Sequence, residues 1–111
     1  MKKPILAFLY VLLFSSTSFS YTAFYSGSEL QEMCKTSQTE CSLLIIGSLD
    51  GINLTQGNHP DEREICLPPA ITIGQVRQVV VKHMTDHPER LHLPAAALVF
   101  ESMSTAFPCA E

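Results

Sequence analysis

Apolar and polar positions divide this chain into one unbroken hydrophobic run and four later stretches in which apolar and polar residues are mixed. The run extends from Pro4 to Phe14, after Met1-Lys2-Lys3 and before the small polar segment Ser15-Ser16-Thr17-Ser18-Phe19-Ser20. A basic start, an apolar centre and a small-residue end are the parts of a secretory signal peptide. Its eleven apolar residues are too few to span a hydrocarbon core, which needs about 20 in a helix. Cleavage is expected between Ser20 and Tyr21, so that residues 1–20 are removed and 21–111 form a single domain with no membrane segment.

The remaining stretches predict helices. The first starts after Ser28, with Glu29 in its first turn where a negative charge suits the helix dipole. It carries Leu30, Met33 and Cys34 and stops near Thr36-Ser37. The second starts at Thr39 or Glu40 and runs from Cys41 through Leu43-Leu44-Ile45-Ile46 to Asp50, with Gly51, Asn53 and Gly57 bringing it to an end. It is so broadly apolar that it is expected to be the central, most buried element. Residues 53–70 gather glycine, asparagine, three prolines and the charge run Asp61-Glu62-Arg63-Glu64, which predicts the longest loop.

Thr72 and Gln75 have the spacing of a capping box, and Val76, Val79, Val80 and Met84 follow on one helical face. The β-branched set Ile71, Ile73, Val79, Val80 and Val81 also suits a strand, but the cap and the 3.6-residue period favour a third helix. After a turn at Asp86 to Arg90, Pro94 opens a fourth helix whose stripe is Ala95, Leu98, Val99, Ser102, Met103 and Ala106. Pro108 stops it and Cys109 can staple its end. The expected architecture is all-α, a small four-helix domain.

Removing 20 of 111 residues leaves 91, enough for one modest core that at this size often needs covalent support. Four cysteines in a short exported chain, Cys34, Cys41, Cys66 and Cys109, argue for two disulfides over metal binding or catalysis. Three pairings are open. Cys34 with Cys41 and Cys66 with Cys109 is the least strained, and loop-closure entropy would make these worth about 2.5 and about 4 kcal/mol.

Charge narrows the partners. Without Lys2 and Lys3 the chain keeps five Lys and Arg against eleven Asp and Glu, a formal charge of −6. That argues against nucleic acid, whose phosphates need a basic face, and against anionic membrane surfaces, and leaves a basic protein partner open.

Chemistry-bearing patterns are sparse. His83 and His87 stand four apart with His92 nearby, but the stretch His83-Met84-Thr85-Asp86-His87 lacks the Glu that a zinc protease requires beside its first His. Histidines closing a helix end are the better account. A catalytic Cys-His pair needs a free low-pKa thiol, and no serine occupies a G-x-S-x-G elbow. The expectation is a protein that is not an enzyme and holds no cofactor or metal.

Several short motifs then combine. Cys66-Leu67-Pro68, Thr72-Ile73-Gly74-Gln75-Val76, His87-Pro88-Glu89, His92, Ala95-Ala96 and Ala106-Phe107-Pro108-Cys109 are joined by Leu30 to Cys34, by Cys41 opening the second helix, and by Gly47 and Asp50 within it. Together they resemble the Rap/Tai family of immunity proteins, over nearly all of the chain after residue 20. The family often has an aromatic residue shortly before that glycine, where this chain has Leu43-Leu44-Ile45-Ile46. The resemblance implies a periplasmic, helical, commonly homodimeric protein that protects a bacterium from peptidoglycan-cleaving amidase effectors delivered by type VI secretion. Such a protein inhibits by binding, sending a protruding element into the cleft of a papain-like amidase and blocking its Cys-His pair.

The contact is expected at the polar loop, on His59, Asp61, Glu62, Arg63 and Glu64, anchored by Cys66; a stapled loop loses less entropy on binding. The turn bearing His87, Glu89 and Arg90 is a second candidate, with His87 and Glu89 mainly structural. A periplasmic stress chaperone, or a family member with no toxin partner, is the alternative reading.

Overall fold

The computed structural model describes residues 22–110, so the expected signal peptide lies outside the described residues. Among the described residues four α-helices make the fold: α1 Gly27–Thr36, α2 Gln38–Asn58, α3 Ile73–Asp86 and α4 Ala95–Ala106. Two short 3-10 turns, Pro60–Glu62 and Pro88–Arg90, follow α2 and α3. Pairing across the described chain is limited to two isolated bridges, Ser26 with Pro94 and Ile65 with Pro108. Both disulfides form as the least-strained pairing requires, Cys34 to Cys41 and Cys66 to Cys109.

Local sequence accounts for the helix starts. Ser26 caps α1 two residues earlier than expected: its hydroxyl accepts from the Glu29 amide at 3.2 Å, and Glu29 Oε2 accepts from the Ser26 amide at 2.7 Å. That reciprocal pair is a capping box, and the hydrogen bonds from Ser26 hold the Glu29 carboxyl below its ordinary value. Thr72 and Gln75 close the same motif on α3, at 3.2 and 2.9 Å, which settles the helix against the strand.

Three helix ends share one device. His59, Phe107 and His87 are the C-caps of α2, α4 and α3, each with φ near −130° and ψ of 60–67°. Each precedes a proline, whose ring keeps the preceding residue out of the α region.

The extent of α2 corrects the expected boundary. It does not stop at Gly51 but continues to Asn58 and takes residues 53–58 out of the predicted loop. Each interior glycine costs about 1 kcal/mol of helix propensity, but Cys41, Ile45, Leu49, Ile52 and Gln56 form one stripe against the rest of the molecule. Tertiary packing along that stripe outweighs the glycines. Gly47 and Gly51 lie on the outer side, where an added Cβ would meet nothing within 4 Å.

The expectation that this helix is the most buried is also overturned. Four of the 21 residues of α2 are buried, against five of the twelve in α4. Apolar residues go round α2, so one stripe meets the core while Leu43 and Leu54 remain 65% and 69% exposed. The core joins Leu30 of α1, Cys41, Ile45 and Leu49 of α2, Val76, Val80 and Met84 of α3, and Ala95, Leu98, Val99 and Met103 of α4, with Ile65 from the loop. Ala106, expected on the α4 stripe, is exposed.

Gly27 is the one glycine that a close approach requires. A Cβ there would lie 2.2 Å from Leu98 Cδ1 and 2.9 Å from the Leu91 carbonyl oxygen. The start of α1 is held on residues 91–95 by Gly27 N–H to Leu93 O at 2.7 Å, Ser28 N–H to Leu91 O at 2.9 Å and Ala95 N–H to Tyr25 O at 2.9 Å.

Candidate functional site

The residues from His59 to Glu64 form an exposed ridge beyond the end of α2. Pro60 opens a 3-10 turn closed by the Glu62 amide donating to His59 O at 3.0 Å, and Arg63 starts the extended return limb. All five first-choice residues, His59, Asp61, Glu62, Arg63 and Glu64, are brought together here and are exposed. None of them takes part in an ion pair among the described residues. Three carboxylates against one guanidinium make the ridge acidic.

The base of the ridge is fastened in three ways. The side-chain oxygen of Gln56, in the last turns of α2, accepts from the amides of Glu64 at 2.7 Å and Ile65 at 2.9 Å. Ile65 is buried and pairs with Pro108, flanked by Cys66 N–H to Phe107 O at 2.9 Å and Cys109 N–H to Glu64 O at 3.4 Å. The Cys66–Cys109 disulfide closes the same seam, so Cys66 anchors the ridge as expected from the sequence.

Hollows lie on both sides. A smaller one of about 220 Å³ is lined by Ile52, Thr55, Gln56, His59, Glu62 and Phe100. A shallower one of about 790 Å³ includes Asp61, Arg63, Glu64, Phe100, Ser104 and Pro108. Half-buried Phe100 of α4 borders both, and together with Gln56 it was missed by sequence reasoning. Gln56 had a legible signal, a lone polar residue continuing the apolar stripe of α2. Phe100 had none, because it sits in an apolar run off the predicted stripe.

The second candidate has a different character. Arg90 pairs with Glu101 of α4, one contact being Nε to Oε2 at 3.2 Å. The guanidinium, and less strongly His83, hold the Glu101 carboxyl below its ordinary value. His83 Nε2 lies 3.5 Å from Glu101 Oε2, and the His83 and His87 rings stack with centroids 4.3 Å apart. His87 Nδ1 is 2.9 Å from His83 O and His92 Nδ1 is 3.1 Å from Glu89 O, so these rings close local backbone turns. Glu89 is exposed. The turn faces an apolar groove of about 890 Å³, bordered by Tyr25, Leu44, Leu93 and Ala97, with Arg90 and Glu101 at its edge.

Among the described residues no cluster of three or more His, Cys, Asp or Glu side chains has the geometry to hold a metal, and all four cysteines are bridged. What the ridge can do chemically is present a preformed, charged backbone edge with an aromatic floor beside it, which is suited to contact with another protein. No curated protein and no solved structure matches the chain. A family model described as Rap1a immunity proteins matches residues 26–109, from the cap of α1 to the last cysteine. Since that match takes in the four helices, both disulfides and the fastened ridge, the chain belongs to the Rap1a family of immunity proteins.

Proposed function

We propose that this immunity protein acts in the periplasm, after removal of residues 1–20, by binding a peptidoglycan amidase effector of type VI secretion and occluding its cleft with the His59–Glu64 ridge. The observation that carries the reading is the three-way fastening of an exposed, acidic ridge. A segment ordered before binding loses little entropy on docking. Its carboxylates speed encounter with a basic surface. Inhibition by occupancy asks no chemistry of this chain.

The homodimer implied by the family resemblance is assigned to the outer side of α2, where Leu43 and Leu54 stand exposed on either side of Gly47 and Gly51. Leu43→Glu with Leu54→Glu is expected to yield a monomer of unchanged helicity by light scattering. A persisting dimer would place the interface elsewhere.

The functional test is co-expression of an amidase effector in the periplasm of a sensitive host, with and without this chain carrying its own leader. Rescue from lysis that is lost when residues 1–20 are deleted is the expected result. Lysis across a panel of amidase effectors, with the protein present in the periplasm, overturns the reading.

A further inference from the structure

The fold shelters its two disulfides unequally. Cys41 is fully buried in the first turn of α2 and bridges to half-buried Cys34 of α1, so that pair is enclosed at the corner of two helices. Cys66 is exposed and Cys109 half-buried, and both stand on irregular backbone, the return limb of the ridge and the tail after α4. The rate of thiol–disulfide exchange on a native protein follows access to sulfur. Local opening is cheapest where few buried contacts are lost, and beside Cys66 and Cys109 the backbone ties are the two hydrogen bonds to Phe107 and Glu64.

We propose that Cys66–Cys109 is a redox-sensitive latch on the ridge, opened by a dithiol reductant while the four-helix core and Cys34–Cys41 stay closed. The functional half of this proposal rests on the ridge being the inhibitory contact; the order of opening does not. A reductant thiolate attacks one sulfur of the bridge, the S–S bond breaks, and its electron pair leaves on the other cysteine, which takes a proton from water. The second thiol of the reductant then attacks the mixed disulfide, releasing the remaining cysteine as a thiol and the reductant as its disulfide. Closure is the reverse, with a disulfide oxidant accepting the electrons.

With the latch open, the return limb keeps the Gln56 clamp but loses its covalent tie to the tail, so ordering the ridge is deferred to the moment of docking and weakens it. Two consequences follow from linkage: a bound effector protects the latch from reduction, and a chain still in a reducing cytosol is an inferior inhibitor until export oxidises it.

The test uses the purified chain with both disulfides formed, exposed to dithiothreitol at neutral pH, quenched with iodoacetamide at intervals and mapped by peptide mass spectrometry. Cys66 and Cys109 are expected to be alkylated about tenfold sooner than Cys34 and Cys41, with helical circular dichroism retained and amide exchange across residues 59–66 rising. Alkylation of Cys34 and Cys41 first, opening of all four together, or loss of helicity on opening of Cys66–Cys109 overturns the latch. The double variant Cys66→Ser, Cys109→Ser, measured against an inhibited amidase, is expected to bind at least about tenfold more weakly. Unchanged affinity in this variant, where charge reversal on the ridge abolishes binding, overturns the regulatory role and leaves the ridge as the contact. Unchanged affinity in both variants overturns the ridge reading itself, and the alkylation order still decides whether the latch exists.

Discussion

The chain turns twice on the same local pattern. His59-Pro60-Asp61-Glu62-Arg63 follows α2 and His87-Pro88-Glu89-Arg90 follows α3; each histidine is a C-cap in the same backbone region, and each proline opens a 3-10 turn. Their surroundings differ. At the second turn two side chains are spent on the fold, Arg90 clasping Glu101 and His87 stacking on His83, while Glu89 is exposed without such a contact among the described residues. At the first turn the backbone is held, by Gln56, the Ile65–Pro108 bridge and a disulfide, while every side chain from His59 to Glu64 faces solvent. The lesson is that a shared His-Pro-acidic sequence specifies a shape, and that the neighbouring helix decides whether its charges serve stability or remain available to a partner.

The sharpest way to break the comparison is charge reversal at the first turn. Asp61→Lys, Glu62→Lys and Glu64→Lys together are expected to weaken effector binding by at least about a hundredfold, chiefly through slower association, with a melting temperature close to wild type. Unchanged affinity would remove the ridge from the contact.

Next in size is the clamp beneath it. Gln56→Ala leaves the amides of Glu64 and Ile65 without their acceptor, one of them at a buried residue, and is expected to cost about 2 kcal/mol in urea unfolding. A loss within about 0.5 kcal/mol would show that water replaces the carboxamide and that the clamp holds nothing.

A smaller effect is expected at the second turn. Glu101→Gln weakens the Arg90 clasp by about 1 kcal/mol, with no change in effector affinity if this turn is purely structural. Because the Glu101 carboxyl is held below its ordinary value of 4.5, its contribution is complete above that value and fades as pH falls through the lowered folded value. The stability gap between wild type and Glu101→Gln is therefore expected to narrow as pH is lowered from about 6 to about 3. A gap independent of pH over that window would refute the ion pair. Arg63→Gln, the matched change on the ridge, is expected to leave stability within about 0.5 kcal/mol of wild type.

Much of the fold was legible because its signals are local. The Thr72–Gln75 box and the prolines at 60, 88 and 108 each act through covalent geometry or bonds to residues a few positions away. The same holds for the ridge residues, whose polarity and breakers announced an exposed segment. The misplaced features depend on distant partners. Gly51, Asn53 and Gly57 read as stops, but α2 continues because its stripe packs on other helices, and Gln56 reaches forward to hold the ridge.

From sequence alone came the helix count, the Thr72–Gln75 cap, the charge and the family, because each is written in composition, short-range spacing or motifs. The tertiary structure decided that α4 and not α2 is the most buried helix, that Arg90 is engaged and Arg63 free, and that Phe100 underlies the ridge. Those outcomes turn on which faces meet across the core, a matter of packing between residues distant in sequence that local preference does not encode.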